Sequence, residues 1–247
     1  MKKIKIGKSK ILCALIGIVM TFSCSYRDGD HDTVFGSKVI ITETRNVDYF
    51  HSIEIVGGCD VFFTKDVSQK LILEGEHNIL PIIRTWVRHD GILVIEPERS
   101  YKTDVGLRAY VSMTEIRGFT IAGSGTIVGE LPFETNELTL KIAGSGQIRM
   151  DVVAQNVFSE IAGSGDIFLV GNTGFHRNKI AGSGNLNASG FVTAKYEIRI
   201  AGSGDCYIHV RDMLDVVIAG SGNIYYRGNP AVINCTIIGS GKLIKSD

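Results

Sequence analysis

The sequence predicts an all-β fold: a right-handed parallel β-helix, or solenoid, of about 19-residue coils behind an irregular β-rich N-terminal cap. Three observations predict it. First, Ile121-Ala122-Gly123-Ser124-Gly125 is repeated from Ile142, Ile161, Ile180, Ile200 and Ile218, and returns as Ile237-Ile238-Gly239-Ser240-Gly241. The first glycines are spaced by 21, 19, 19, 20, 18 and 19 residues, and a near-fixed period of this length marks a solenoid. Second, apolar residues alternate before most of these corners, as in Leu138, Leu140 and Ile142, or Leu214, Val216 and Ile218. Period-two alternation is a strand with one buried face. Third, an apolar residue resumes two positions past the second glycine: Ile127, Ile148, Ile167, Leu186, Cys206, Ile224 and Leu243. Each unit is a strand, a glycine corner and a second strand with a variable return. It cannot bury its own apolar face, so it must stack on its neighbours.

From the start of the chain, Lys2, Lys3, Lys5, Lys8 and Lys10 precede a 12-residue apolar run at 11–22, which is short for a membrane span and suits a secretory signal. Thr21-Phe22-Ser23-Cys24 resembles a lipobox, which implies cleavage before Cys24 and lipidation of that cysteine. Residues 1–23 are therefore expected to be a lipoprotein signal peptide and 24–37 a tether. Without the signal the chain carries 21 basic and 26 acidic residues, a net charge of −5, and no Lys/Arg run. That argues against nucleic acid as a partner.

Residues 38–247 read as one domain, with 38–115 capping the repeats of 116–247. In the cap, strands are expected at 38–45, 51–56, 71–74 and 107–113. Ile55-Val56-Gly57-Gly58-Cys59 reads as a degenerate corner. Residues 76–87, with Asn78 and Pro81, are the one place for a short helix or turn, and Asp90-Gly91 signals a hairpin. At the far end Lys242, Lys245 and Asp247 are expected to make the last half-coil polar and blunt the open edge.

Candidate functional residues are few. Ser124, Ser145, Ser164, Ser183, Ser203, Ser221 and Ser240 form one ladder; Thr126, Gln147, Asp166, Asn185, Asp205, Asn223 and Lys242 form the next. Both read first as groups that satisfy backbone at a tight corner, and alternatively as a polar strip for a glycan or protein partner. The Gly-x-Ser-x-Gly elbow and a strand–helix Gly-x-Gly-x-x-Gly are absent, and the histidines have no metal-ligand spacing. No catalytic residue, cofactor or metal is assigned. His176 falls on an inward position beside Asn178 and reads as a partly buried, hydrogen-bonded histidine in an irregular strand. Cys206 and Cys235 read as small buried hydrophobes on different strands rather than a disulfide. An outward stripe remains: Tyr207 and Tyr225 share one register, and His209 and Arg227 the next, with Phe168 and Val128 continuing the tyrosine row. An aromatic–Arg stripe suits a sugar or peptide ligand. With Arg211 and Asp212 nearby it also leaves room for a carbohydrate-active enzyme.

The paired strands at 50–56 and 61–64, the strand Gly91-Ile92-Leu93-Val94-Ile95 and the repeated Ala-Gly-Ser-Gly-x-Ile corner resemble the putative auto-transporter adhesin head GIN domain family over roughly residues 47–230. The resemblance implies a secreted or surface β-solenoid, often a lipoprotein, with no established enzymatic activity and no catalytic motif to carry over. The expected protein is a non-enzymatic lipoprotein of the cell envelope, anchored in the outer membrane on its surface or periplasmic side. It would serve as an adhesion or ligand-binding head, with a carbohydrate-active enzyme or an envelope scaffold as alternatives.

Overall fold

The computed structural model describes residues 33–246, so the signal peptide, Cys24 and the tether up to residue 32 lie outside the described residues. In chain order the cap holds β1 (Val34–Phe35), β2 (Ile40–Arg45), β3 (Ser52–Gly57), β4 (Asp60–Lys65) and β5 (Lys70–Glu76). After the 3₁₀ turn Leu80–Ile82 come β6 (Ile83–Val87), β7 (Ile92–Pro97), β8 (Tyr101–Lys102) and β9 (Arg108–Met113). The repeats form β10 (Gly118–Gly123), β11 (Thr126–Gly129), β12 (Phe133–Gly144), β13 (Gln147–Gly163), β14 (Asp166–Gly182) and β15 (Asn185–Gly202). The last strands are β16 (Cys206–Gly220), β17 (Asn223–Arg227), β18 (Val232–Gly239) and β19 (Lys242–Lys245).

Two parallel ladders meet at the glycine corner. Before the corner, Ile121 pairs with Ile55 on one side and Ile142 on the other, and the register runs on through Ile161, Ile180, Ile200, Ile218 and Ile237. After it, Ile127 pairs with Val61 and Ile148, and the row runs to Leu243. The pairing of Gly57 with Gly123 shows that 55–59 is the eighth corner. β13 to β16 are 15 to 18 residues long, because strand pairing continues through the return that the sequence left variable.

The corner explains the repeat. Gly163 has φ +132°, and a Cβ there would lie 2.3 Å from the carbonyl oxygen of Gly144 in the coil below. Positive φ and a backbone approach this close both require glycine. A Cβ on Gly184, the second glycine of its corner, would lie 2.3 Å from the Gly165 oxygen. Cys59 shows that this second constraint comes from stacking. Its corner has β7 and β9 beneath it rather than another corner, and there a side chain fits and is buried.

The cap stacks out of sequence order. β3 lies between β7 and β10, and β4 between β9 and β11, so the coil of residues 52–65 is interior and residues 92–113 form the coil outside it. Antiparallel strands then close that end: β6 pairs with β7, β5 with β9, and β2 with β5. The turn expected at 76–87 is the 3₁₀ segment, and its second half is strand β6; Asp90-Gly91 makes the expected hairpin to β7. β1 pairs with β8, so this end of the stretch read as tether is fastened to the cap.

One apolar core runs the length of the coils, from Phe50 to Ile224. At the last coil it opens. Ile233 is 42% and Ile237 37% exposed, whereas Ile218 one coil below is 0% exposed. The expectation of a blunted edge is therefore corrected. The lysines stand on β19, and β18 carries no charge along an exposed strand. Cys235 is exposed for the same reason, not buried as expected, while Cys206 is buried; both are free thiols.

Candidate ligand-binding face

The inward rows are consumed by the core, so function is sought on outward rows. Inside, the polar residues prove structural. His176, Asn178 and Ser159 are buried, and Tyr196 is 1% exposed. Asn178 pairs regularly with Ser159 and Ile198, so the expected irregularity is absent at this point. Their side chains satisfy one another. The Ser159 hydroxyl donates to Asn178 Oδ1 at 2.6 Å and lies 2.7 Å from His176 Nε2. With its one proton given to Asn178, Ser159 must accept from Nε2–H, which fixes the tautomer. His176 Nδ1 then accepts from the Tyr196 hydroxyl at 2.7 Å. Asn178 Nδ2 donates to Cys206 Sγ at 3.5 Å. Burial pulls the histidine pKa down to about 3, so it stays neutral, and pushes the Tyr196 hydroxyl and the Cys206 thiol up. A Ser–His pair in this setting has no access to substrate.

The ladder just after the corner is also engaged. Asp166 Oδ1 accepts from the backbone N–H and the amide of Asn185, Asn185 Oδ1 from Asp205 N–H, and Asp205 Oδ1 from both donors of Asn223. Alternating Asp and Asn thus tie each coil to the next, the structural use read from the sequence.

Two residues further on lies the tyrosine row. Registers place Tyr110, Phe62, Val128, Arg149, Phe168, Asn187, Tyr207, Tyr225 and Ile244 side by side, all pointing outward. Nine rungs at about 4.8 Å span roughly 38 Å along the solenoid. Tyr207 and Tyr225 stack with ring centroids 4.9 Å apart and planes within 6°; Phe62 and Tyr110 stack at 5.6 Å and 20°. The Arg149 guanidinium sits 4.5 Å from the Phe168 ring centroid. Tyr207 is 40% exposed, and the other aromatic rings of the row are half-buried. His209 and Arg227 are paired in register, one alternation along from the tyrosines. All four residues singled out from the sequence are therefore brought together. Phe62 and Tyr110 escaped sequence reading, because only the out-of-order stacking of 92–113 aligns Tyr110 with the repeats. The Phe62 signal was its place just after the degenerate corner.

The outward face before the corner differs. Lys141, Glu160, Lys179 and Arg199 share one row. Arg177–Glu197 at 2.8 Å and Arg199–Asp215 tie the neighbouring row. A cleft of about 140 Å³ lined by Phe158, Glu160, Arg177 and Lys179 is smaller than an ordinary ligand pocket. Among the described residues no group of three or more His, Cys, Asp or Glu is placed to hold a metal.

Comparison with known proteins agrees with this architecture. Residues 49–230 match the family described as "Putative auto-transporter adhesin, head GIN domain". No functionally curated protein matches the sequence. Among solved structures, a putative adhesin from Bacteroides fragilis superposes with TM-score 0.82 at 22% identity, over 86% of this chain and 100% of that one. A putative lipid binding protein from Parabacteroides distasonis gives TM-score 0.72 at 24% identity, over 87% and 100%. A putative adhesin from Parabacteroides merdae gives 0.65 at 20%, over 87% and 100%. At these identities the likeness shows the shared solenoid fold.

Proposed function

Because this chain belongs to the auto-transporter adhesin head GIN domain family, we propose that it is a non-enzymatic, ligand-binding adhesion head of the cell envelope, held to the outer membrane by lipid at Cys24. The observation that carries the binding reading is the outward row of nine rungs over roughly 38 Å, five of them aromatic (Tyr110, Phe62, Phe168, Tyr207 and Tyr225), with Tyr207 and Tyr225 stacked and flanked by His209 and Arg227. Exposed aromatic surface of this extent marks an interaction face. The row has no acid pair at catalytic spacing, and the relatives named above are described as adhesins or a lipid binder rather than enzymes. A glycan, or a protein strand presenting flat side chains, is the class of ligand that fits.

The test is a panel of polysaccharides and matrix proteins that reads both retention and product. Retention without cleavage is expected, and release of shortened glycan would replace the binding reading with the enzymatic one. Anchoring is tested by Cys24→Ala, which should move the protein from the membrane fraction to the soluble one. The scaffold reading draws on a separate feature, the uncovered β18 edge. It predicts concentration-dependent assembly in solution, which Ile237→Lys abolishes.

A further inference from the structure

Val128 and Arg149 interrupt the aromatic row between Phe62 and Phe168, and a gap of one residue follows between Phe168 and Tyr207. Asn187 stands between Phe168 and Tyr207, paired in register with both. The two rings are thus two strand spacings apart, about 9.6 Å. The outer sides of both rings are taken: Arg149 lies against Phe168, and Tyr225 stacks on Tyr207. The sides that face Asn187 are not covered by another ring. Asn187 is half-buried at the floor, and its amide makes no hydrogen bond to a described residue. A pair of donors and an acceptor therefore sit between two aromatic walls.

Deepening the binding reading on which it rests, we infer that Phe168, Asn187 and Tyr207 form a subsite for a single pyranose ring of a glycan. The separation selects the guest. A flat aromatic ring between two walls needs about 7 Å, twice the ~3.5 Å carbon contact, and would be loose in this gap. A pyranose chair is thicker. Its C–H faces suit the electron-rich ring faces, and its equatorial hydroxyls reach down to an amide that can both donate and accept. The rest of the chain would extend along the row over Tyr225 on one side or Arg149 on the other.

The experiment uses methyl β-D-glucopyranoside, methyl β-D-galactopyranoside and methyl α-D-mannopyranoside, with phenol as the flat probe, followed by saturation-transfer NMR and chemical-shift titration. At least one pyranoside should bind, with saturation strongest at ring C–H protons. Asn187→Tyr, which fills the gap with a further stacked ring, should weaken that binding at least tenfold. Phe168→Ala, which removes one wall, should do the same by a different route and serves if Asn187→Tyr misfolds. Lys179→Ser, on the outward face before the corner, should change it less than twofold. Binding of no pyranoside overturns the subsite, as do unchanged binding in Asn187→Tyr and uptake of phenol alone. If Asn187→Tyr keeps a ligand from the polysaccharide panel that Tyr207→Ser/Tyr225→Ser loses, the subsite falls and the binding face stands. If both variants keep it, both fall.

Discussion

The glycine corner and the aromatic row are five residues apart, the glycine ending one strand and the row residue lying on the next, yet they vary in opposite ways. At the corner the same residue returns in every repeat: Gly123, Gly144, Gly163, Gly182, Gly202, Gly220 and Gly239, all with φ between +128° and +146°. Five positions on, the chain reads Val128, Arg149, Phe168, Asn187, Tyr207, Tyr225 and Ile244. The corner is uniform because each coil's backbone rests on the one below. The row is free to differ because it faces solvent, and among its choices large flat side chains recur. Uniformity within one chain thus reports stacking, and departure from uniformity on an exposed face is where binding chemistry is sought.

The largest effect is expected at the corner. Gly163→Ala places a Cβ 2.3 Å from the Gly144 oxygen, which only a backbone shift relieves. The expected loss exceeds about 4 kcal/mol or prevents folding, as read by denaturant unfolding. Next, Ile218→Ser should cost about 3 kcal/mol and Ile237→Ser less than 1, although both occupy the same repeat position, because only Ile218 is covered. Equal losses would mean that β18 is covered in solution. An intermediate effect comes from pH. The folded His176 has a pKa of about 3 against an unfolded value near 6.5, so between these values the unfolded chain binds the extra proton. Stability should fall as pH drops from 6.5 toward 3, by up to about 1.4 kcal/mol per unit from this residue, and His176→Gln should remove that slope. Tyr196 and Cys206, beside it, stay neutral throughout this window. Asp205→Ala strands the Asn223 N–H and should cost about 1 kcal/mol, with Asp205→Asn recovering most of it. Smallest of all, Phe168→Ser on the outward row should shift unfolding by well under 1 kcal/mol, apart from any effect on ligand.

Much of this was legible in the sequence because a repeat states its rule seven times. Period and alternation located the coils and the inward rows, and Gly57-Gly58 gave away the eighth corner. What sequence did not reveal depended on which coil lies against which. Nothing local says that residues 92–113 stack outside 52–65, so Tyr110 could not be joined to Phe62. His176 and Asn178 were visible as polar residues on an inward face. Their partners Ser159, Tyr196 and Cys206 sit on neighbouring coils, and only the register shows that these side chains hydrogen-bond one another. Cys235 and Ile237 fit the inward pattern perfectly and are exposed, because burial needs a coil above as well as a pattern within.

The most direct test of the account compares two outward faces in one binding measurement. The wild type, Tyr207→Ser/Tyr225→Ser and Lys179→Ser/Arg199→Ser are applied at equal concentration to the same polysaccharide and matrix-protein panel, with unfolding midpoints matched beforehand. The account predicts that the tyrosine variant loses at least tenfold in affinity for the retained ligand and that the lysine–arginine variant binds within twofold of wild type. Loss on the charged face with the aromatic row indifferent would contradict it.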